Sequence, residues 1–393
     1  MKIAMVGQYP PHIGGVAAHM NSLAKELVKK GHEVYVITYP HKDLKKGEIT
    51  NIEGVNVIGT SGVNIPGLRG AMFERNAEKA LKKLVKEENI DIIHGHYLFP
   101  PGLVSVNVGQ KTNTKTYVTA HGSDMFRVYA KSKSMQKAIK KVLKKADVVL
   151  AVSNALKDEI IATDVEGISE KTKIHWNSVD INKFKEEPEE KINESKFKKD
   201  LFNEFNIDSN KPTILFVGNI VKAKNINLLI EAKKLLKTDC NLLIVGDGVL
   251  LKDLKDKVAK DIKNNEIDNV YFTGARKDVE KIIPTTDLLV LPSFTESFGL
   301  VLLEALACGK PVIGSNIGGI KEIITEDVGL LINPNDKEDL ANAIDKILTD
   351  DDLRNKFKSN ARNRAKEFSK VNIPYDEFNK WLINNNQSNL KIN

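Results

Sequence analysis

Two glutamates eight residues apart, Glu296 and Glu304, stand in the most informative stretch of this 393-residue chain, FTESFGLVLLEALACGKPVIGSNIGGIKEIIT (residues 294–325). A strand over Asp287–Leu291 ends at Pro292, and a short loop leads to a helical apolar stripe of Leu300, Val301, Leu303, Leu306 and Ala307. Gly299 falls where that helix begins. Free backbone N–H groups and the positive end of the helix dipole suit an anion such as a phosphate there. Carboxylates accept hydrogen bonds from hydroxyls, so Glu296 before the helix and Glu304 inside it can grip two polyols, a sugar and a ribose. The blander reading makes Glu296 a helix cap and Glu304 a solvated face residue, although the neighbours of Glu304 are apolar. The segment GKPVIGSNIGG adds a second glycine loop after another strand.

Other candidates follow strands in the same way. In FVGNIVKAKN (residues 216–225) a strand and a glycine lead to Lys224, which can neutralise a diphosphate as it departs or be an ordinary surface lysine. In PPHIGGVAAHM (residues 10–20) Gly14 and Gly15 separate the first strand from a helix carrying Val16, Met20, Leu23 and Leu27. They allow close approach of a ligand to the backbone, or simply a tight turn. The loop is neither G-x-G-x-x-G nor a Walker-type phosphate loop. After the strand Thr116–Ala120 come His121, Gly122, Ser123 and Asp124. His121 can hydrogen-bond a sugar near its reacting carbon or hold a turn, and Asp124 can orient His121 or an acceptor hydroxyl. His94 and His96 lie on one side of a strand, and with no third ligand in sequence they read as lining of an acceptor-side cleft or as packing.

Glu296 and Glu304 form the E-x7-E pattern of the retaining GT-B glycosyltransferases, and with its flanks the segment closely resembles glycosyltransferase family 4, over nearly the whole chain. The resemblance implies that Glu296 contacts hydroxyls of a donor sugar and Glu304 the nucleotide ribose, while the amides of Phe298, Gly299 and Leu300 meet the sugar and diphosphate. It implies that Gly14 and Gly15 face the donor diphosphate, that His121 belongs to an H-G-x-D site element with Asp124, and that Gly246 of the G-D-G turn and Arg276, with Lys277, lie at the nucleotide. The family pattern G-R-x-x-x-x-K-G keeps its lysine here as Lys224 but has Asn219 where arginine is usual, and Lys222 can reach in instead. Asn219 cannot supply the missing charge, which motivates one alternative, a catalytically silent sugar-nucleotide binder; a nucleotide-sugar epimerase of GT-B shape, which would need no acceptor, is another.

The resemblance further implies transfer from a UDP- or GDP-sugar with retention of anomeric configuration. Reaction on one face, with the departing phosphate oxygen helping to deprotonate the acceptor, asks the protein for positioning and charge stabilisation. No Asp-x-Asp motif follows a strand, so neither metal nor cofactor is expected. The acceptor stays open. Residues 131–145, KSKSMQKAIKKVLKK, hold seven lysines and no acid, with Met135, Ile139, Val142 and Leu143 at helical spacing. Such a segment either touches an anionic membrane surface or packs its stripe inward as a solvated helix. Relatives in the family act on lipid-linked acceptors or on small soluble acids, and SFGLVLLEALACGKPVIGSNIGGI is similar to the branch that makes N-acetylglucosaminyl-malate.

The elements that must position these residues alternate short apolar runs with helical stretches. Strands are predicted at Lys2–Val6, Glu33–Thr38, Val55–Gly59, Asp91–His94, Thr116–Ala120, Asp147–Val152 and Lys173–His175, then at Thr213–Val217, Asn241–Val245, Asn269–Thr273, Asp287–Leu291, Pro311–Gly314 and Val328–Ile332. Runs such as ILFVG and DLLVLP are apolar throughout, as in parallel sheets covered on both faces. The expected fold is α/β: two Rossmann-like doubly wound domains facing across a cleft, an acceptor domain over residues 1–180 and a donor domain over 181–370. Residues 182–210 read as a polar connection with one short surface helix. The tail 371–393, with Tyr375, Phe378, Trp381 and Leu382, reads as an amphipathic helix returning to the first domain.

Composition narrows the classes. Two cysteines, Cys240 and Cys308, build neither a disulfide framework nor a thiolate zinc site, so a reducing compartment is expected. No apolar run approaches the ~20 residues of a membrane span. MKIAMVGQYPPHIGG reads as a first buried strand rather than a signal peptide, so the expected location is the cytoplasm, with peripheral membrane contact through residues 131–145 left open. Residues 1–180 hold 26 Lys and Arg against 18 Asp and Glu, so this part carries the whole surplus of the +7 chain and suits an anionic acceptor. A nucleic acid is not an expected partner, because the basic residues lack interleaved aromatics and a reading motif.

Overall fold

A computed structural model describes residues 1–12, 14–62, 69–371 and 373–375. The described residues divide into two compact units: Met1–Val152 with Leu156–Ser178 and those from Val371, and Ser153–Ala155 with Val179–Lys370.

The first unit is built on an eight-stranded sheet of order β3-β4-β2-β1-β5-β6-β7-β8. Its strands are β1 (Lys2–Val6), β2 (Glu33–Thr38), β3 (Ile49–Ile52), β4 (Val55–Gly59), β5 (Ile92–His96), β6 (Lys115–Ala120), β7 (Val148–Ala151) and β8 (Thr172–Ile174). All neighbours are parallel except β3, which runs antiparallel to β4 at the edge. Strand β1 shows why the sheet is buried on both faces. Ile3 and Met5 join a core with Met20, Leu23 and Leu27 of helix α1 (Gly15–Lys29). Ala4 and Val6 join the opposite core with Phe73 and Leu81 of α2 (Arg69–Glu88). Ile373 and Tyr375 belong to the α1-side core. The rest of the expected tail helix, including Phe378, Trp381 and Leu382, lies outside the described residues.

The second unit carries a six-stranded parallel sheet of order β11-β10-β9-β12-β13-β14. Its strands are β9 (Thr213–Val217), β10 (Asn241–Val245), β11 (Val270–Gly274), β12 (Leu288–Leu291), β13 (Val312–Ser315) and β14 (Gly329–Ile332). Read in chain order this is the doubly wound 3-2-1-4-5-6 arrangement, whose order reverses between β9 and β12. In the first sheet the order reverses between β1 and β5. Ligands of open parallel sheets bind beyond the carboxyl ends of the strands at such reversals.

Aspartates set the register. Asp91 accepts the Lys2 N–H at 2.8 Å, Asp147 the Thr116 N–H at 2.7 Å and Asp287 the Thr213 N–H at 2.8 Å. Each stands just before a strand and pairs with the amide at the head of its neighbour, an orphan donor otherwise.

Two expectations are corrected. Strand β3 was not foreseen, because an edge strand with exposed Ile49 and Asn51 lacks the apolar run that marks its neighbours. The polar connection contains two helices, Glu189–Glu194 and Lys196–Phe205, the second capped by Ser195, whose hydroxyl accepts from the Lys198 N–H at 3.2 Å.

Arg362, on the helix Asp351–Glu367, fixes the far end of the helix Leu300–Ala307. Its guanidinium donates to the Ala307 carbonyl at 2.5 Å, to that of Phe184 at 3.3 Å and to that of Ile181 at 3.1 Å. Arg362→Met should therefore leave three carbonyls without a partner and lower stability by about 1–3 kcal/mol. Denaturant unfolding would show this as a lower midpoint at unchanged slope.

Candidate active site

In the second unit the two strands flanking the reversal deliver the central pair. The loop after β9 runs through Gly218 and Asn219 to a turn at Lys222–Lys224, and the loop after β12 runs from Pro292 to Gly299. The Phe294 N–H donates to the Ala223 carbonyl at 2.8 Å, joining the loops. Beside that bond, Lys224 Nζ and the Glu296 carboxylate form an ion pair, and both side chains are mostly shielded from solvent. An ammonium has three donors, so Lys224 can keep Glu296 and still meet a phosphate oxygen.

Gly299 follows, at φ 97° and ψ 50°, and heads the helix Leu300–Ala307 with no side chain capping its amino end. The left-handed conformation is one that glycine adopts without strain. Phe298 turns its ring into the core, 5.8 Å from that of Phe368, so only its backbone faces the loop, while Leu300 is half-buried. The turn after β13 supports the whole arrangement. A Cβ on Gly318 would stand 2.1 Å from the Glu296 carbonyl oxygen, and one on Gly319 2.2 Å from that of Ser297. Gly246, after β10, is equally close to the neighbouring loop: its Cβ would meet the Gly218 carbonyl oxygen at 1.9 Å.

Other residues expected at the donor occupy varied settings. Asn219 and Lys222 are exposed. Arg276 forks onto Asp278 at 2.8 and 3.0 Å and reaches Glu204 at 3.5 Å, so its charge already has partners within the protein.

Glu304 is the fifth residue of its helix, roughly 6 Å along the axis from Leu300 at 1.5 Å rise per residue. Burial, aided by nearby Glu280 and opposed by Lys183, pushes its carboxyl up to about 7. The folded chain keeps this proton up to about pH 7. An unfolded glutamate releases it near 4.3, so the group destabilises the fold as pH rises between those values and fully so above them. Glu304→Gln should raise stability by about 1–2 kcal/mol at pH 8, allowing for partial exposure, and by nothing near pH 4. Thermal melts of both proteins at the two pH values would check it.

The first unit gathers histidines. His96 ends β5 and His121 follows β6; both are buried, and His96 Nδ1 lies 3.3 Å from His121 Nε2. His19, on α1, places its ring 5.2 Å from that of His121 and 5.3 Å from that of His175. The helix can come this close because Gly7 has no side chain: a Cβ there would meet Met20 Sδ at 2.7 Å and His96 Cβ at 3.0 Å. Burial, aided by His175, lowers His121 to about 3, so it works as a neutral imidazole. His94 is structural, bonded to the Tyr375 hydroxyl at 2.5 Å and the Thr119 hydroxyl at 2.7 Å.

Asp124 differs from its expected acceptor-side role. It is fully buried, and its carboxylate accepts N–H bonds from Leu98 at 3.0 Å, His121 at 3.3 Å, Gly122 at 2.8 Å and Met125 at 3.2 Å. It therefore ties the loops after β5 and β6 together and holds the His121 backbone rather than its ring. Gly14, at φ 143°, and Gly15 are exposed at the amino end of α1, and a Cβ on either would touch nothing. Sequence reasoning did not single out His19, His175 or Arg362, since no local pattern marks a lone histidine or arginine on a helix face or a lone histidine just past a strand.

Residues 133–145 form helix α4, with Ile139, Val142 and Leu143 buried. The packed reading of the apolar stripe therefore holds, and the lysines Lys133, Lys137, Lys140, Lys141 and Lys144 remain exposed. No helix among the described residues is long and apolar enough to cross a membrane.

Two family descriptions match the chain: Glycosyltransferase Family 4 over residues 13–183 and Glycosyl transferases group 1 over residues 197–364. An uncharacterized glycosyltransferase of Methanocaldococcus jannaschii is 30% identical over 372 residues, 94% of each chain. N-acetyl-alpha-D-glucosaminyl L-malate synthase of Bacillus anthracis is 30% identical over 368 residues, 91% of this chain and 90% of that one. The crystal structure of Anabaena HepE in complex with UDP and glucose superposes with a TM-score of 0.75 at 21% identity, covering 99% of this chain and 100% of that one. The two parallel α/β units are those of a GT-B glycosyltransferase. The chain belongs to glycosyltransferase family 4. The epimerase alternative finds no support among these proteins.

Proposed function

We propose that this enzyme transfers a sugar from a nucleotide-diphosphate sugar, with UDP the favoured nucleotide, to a hydroxyl of an anionic acceptor. The observation that carries the reading is the convergence of Lys224 and Glu296 beside the uncapped helix start at Gly299. Lys224 and the amides of Phe298, Gly299 and Leu300 hold the diphosphate, Glu296 takes sugar hydroxyls, and Glu304 takes the ribose. His121, a neutral imidazole, bonds a sugar hydroxyl. HepE, of the same fold, is solved with UDP and glucose, which supports a UDP-sugar, and the B. anthracis relative is named as an N-acetyl-alpha-D-glucosaminyl L-malate synthase, which supports an acidic acceptor. The basic surplus of the N-terminal half and the exposed lysines of α4 favour such an acceptor. Neither metal nor cofactor is required by this reading. The Glu296 carboxylate is paired with Lys224, which favours one-face displacement with retention over a covalent glycosyl–enzyme. The leaving phosphate oxygen then takes the acceptor proton.

A thermal-shift panel of UDP-, GDP- and ADP-sugars tests it, since a donor at 100 times its Kd stabilises the fold by about 2.7 kcal/mol. A selective rise with one nucleotide class is expected, and no rise with any would overturn the reading. Exposed Asn219, where the family pattern has arginine, favours one second reading, a silent binder. Stabilisation without transfer to any acceptor and without donor hydrolysis would identify it.

A further inference from the structure

Five of the eight histidines gather in the first unit: His19, His94, His96, His121 and His175. Three of them, from α1 and from the ends of β5 and β6, bring one ring nitrogen each to within 4.8 Å of one another. His19 is 5% exposed and His96 0%, and Nε2 of each is buried with no hydrogen-bond partner. An unsatisfied buried polar atom is costly, so each of these needs a reason. An ion held by His19 Nε2 would satisfy one of them, and the 3.3 Å between His96 Nδ1 and His121 Nε2 suits two further ligands of the same ion. Two nitrogens bound to one tetrahedral zinc ion at 2.0–2.1 Å stand about 3.4 Å apart.

We propose that His19, His96 and His121 form a binding site for a divalent transition-metal ion, with Zn2+ the best fit. Three imidazoles and one open position are a set that zinc accepts. The surroundings hold the ligands in place. The His94 ring lies 4.1 Å from that of His96 and is itself fixed by Thr119 and Tyr375. Asp124 binds the backbone N–H of His121. Such outer contacts orient metal ligands. With no carboxylate in the set, the ion keeps its double charge and takes water or an anion in the fourth position. A His121 nitrogen that holds the ion cannot bond a sugar hydroxyl, so metal and substrate compete; this consequence rests on the role of His121 proposed above.

The test uses untagged, metal-stripped full-length protein titrated with ZnCl2 in a calorimeter, and with CoCl2 in a spectrophotometer. One ion per chain is expected, with Kd on the order of micromolar or tighter, and Co2+ should give the intense visible bands of a tetrahedral site. His19→Asn and His96→Asn, which keep a polar group of similar size, should each weaken Zn2+ by at least about 10-fold. His41→Ala, outside the cluster, should leave it unchanged. Absence of saturable binding, or wild-type affinity in both asparagine variants at unchanged circular dichroism, would overturn the site. Stoichiometric binding that leaves the transferase rate unaffected would uphold the site and refute the sugar contact of His121.

Discussion

Lys224→Met is expected to lower kcat/KM about 100- to 1000-fold, the range seen when one preorganised group facing developing charge is removed. In the proposed reaction the charge that grows on the departing diphosphate needs a cation placed in advance, and the ion pair with Glu296 would hold Lys224 there for it. Methionine keeps the length and apolar stem of the side chain, so the fold should tolerate it. Glu296→Gln should fall by a comparable factor, because it loosens the lysine and weakens the grip on the sugar. The two effects should not add: residues acting as a unit lose most of their joint contribution when either is removed. Steady-state kinetics of both single variants and of the double variant would show the double close to the worse single. Fully multiplicative losses would mean that the ion pair has no role in the reaction.

Gly319→Ala is expected to cost roughly 2–3 kcal/mol of stability and, in whatever remains folded, most of the donor affinity. Gly319 has an ordinary φ of −73°, so backbone strain is not the reason. The reason is space. The added methyl would meet the Ser297 carbonyl oxygen at 2.2 Å and the Phe298 Cα at 2.8 Å, both backbone atoms that cannot swing aside. The loop carrying Glu296 has to move, and a misplacement of about 1 Å at a catalytic group costs on the order of 100-fold in rate. Gly15→Ala is the control: a Cβ there touches nothing, and its melting temperature should stay within the spread of surface substitutions, about 0.5 kcal/mol. Melting curves and donor titrations of the two alanine variants would separate these cases.

The strands were legible because those of a parallel sheet covered on both faces are apolar at every position, as in Ile214–Phe216 and Leu288–Leu291. The first strand of the chain was legible for the same reason, although its alternate residues serve two different cores. Strand β3 escaped because its edge position leaves it half solvated. Lys224, Glu296 and Gly299 were legible because each follows a strand at the reversal of its sheet, a place fixed by topology. Their ion pair was not, since no spacing rule links residues seventy-two apart. Asp124 shows the opposite failure. Its position beside His121 suggested a partner for the ring, but the tight loop turns its carboxylate onto four backbone N–H groups instead. The histidine cluster was invisible for a third reason. His19, His96, His121 and His175 come from separate elements that only the strand order β1-β5-β6-β7-β8 brings together.

The central claim is that the loops after β9 and β12 hold a nucleotide diphosphate. A crystal structure with the nucleotide that stabilises the protein most in the thermal panel tests it directly. The expected result places a phosphate oxygen within hydrogen-bond distance of Lys224 Nζ and of the backbone N–H groups at Gly299 and Leu300, with the ribose on Glu304. A nucleotide bound away from Gly299, with Lys224 still paired to Glu296 alone, would contradict it.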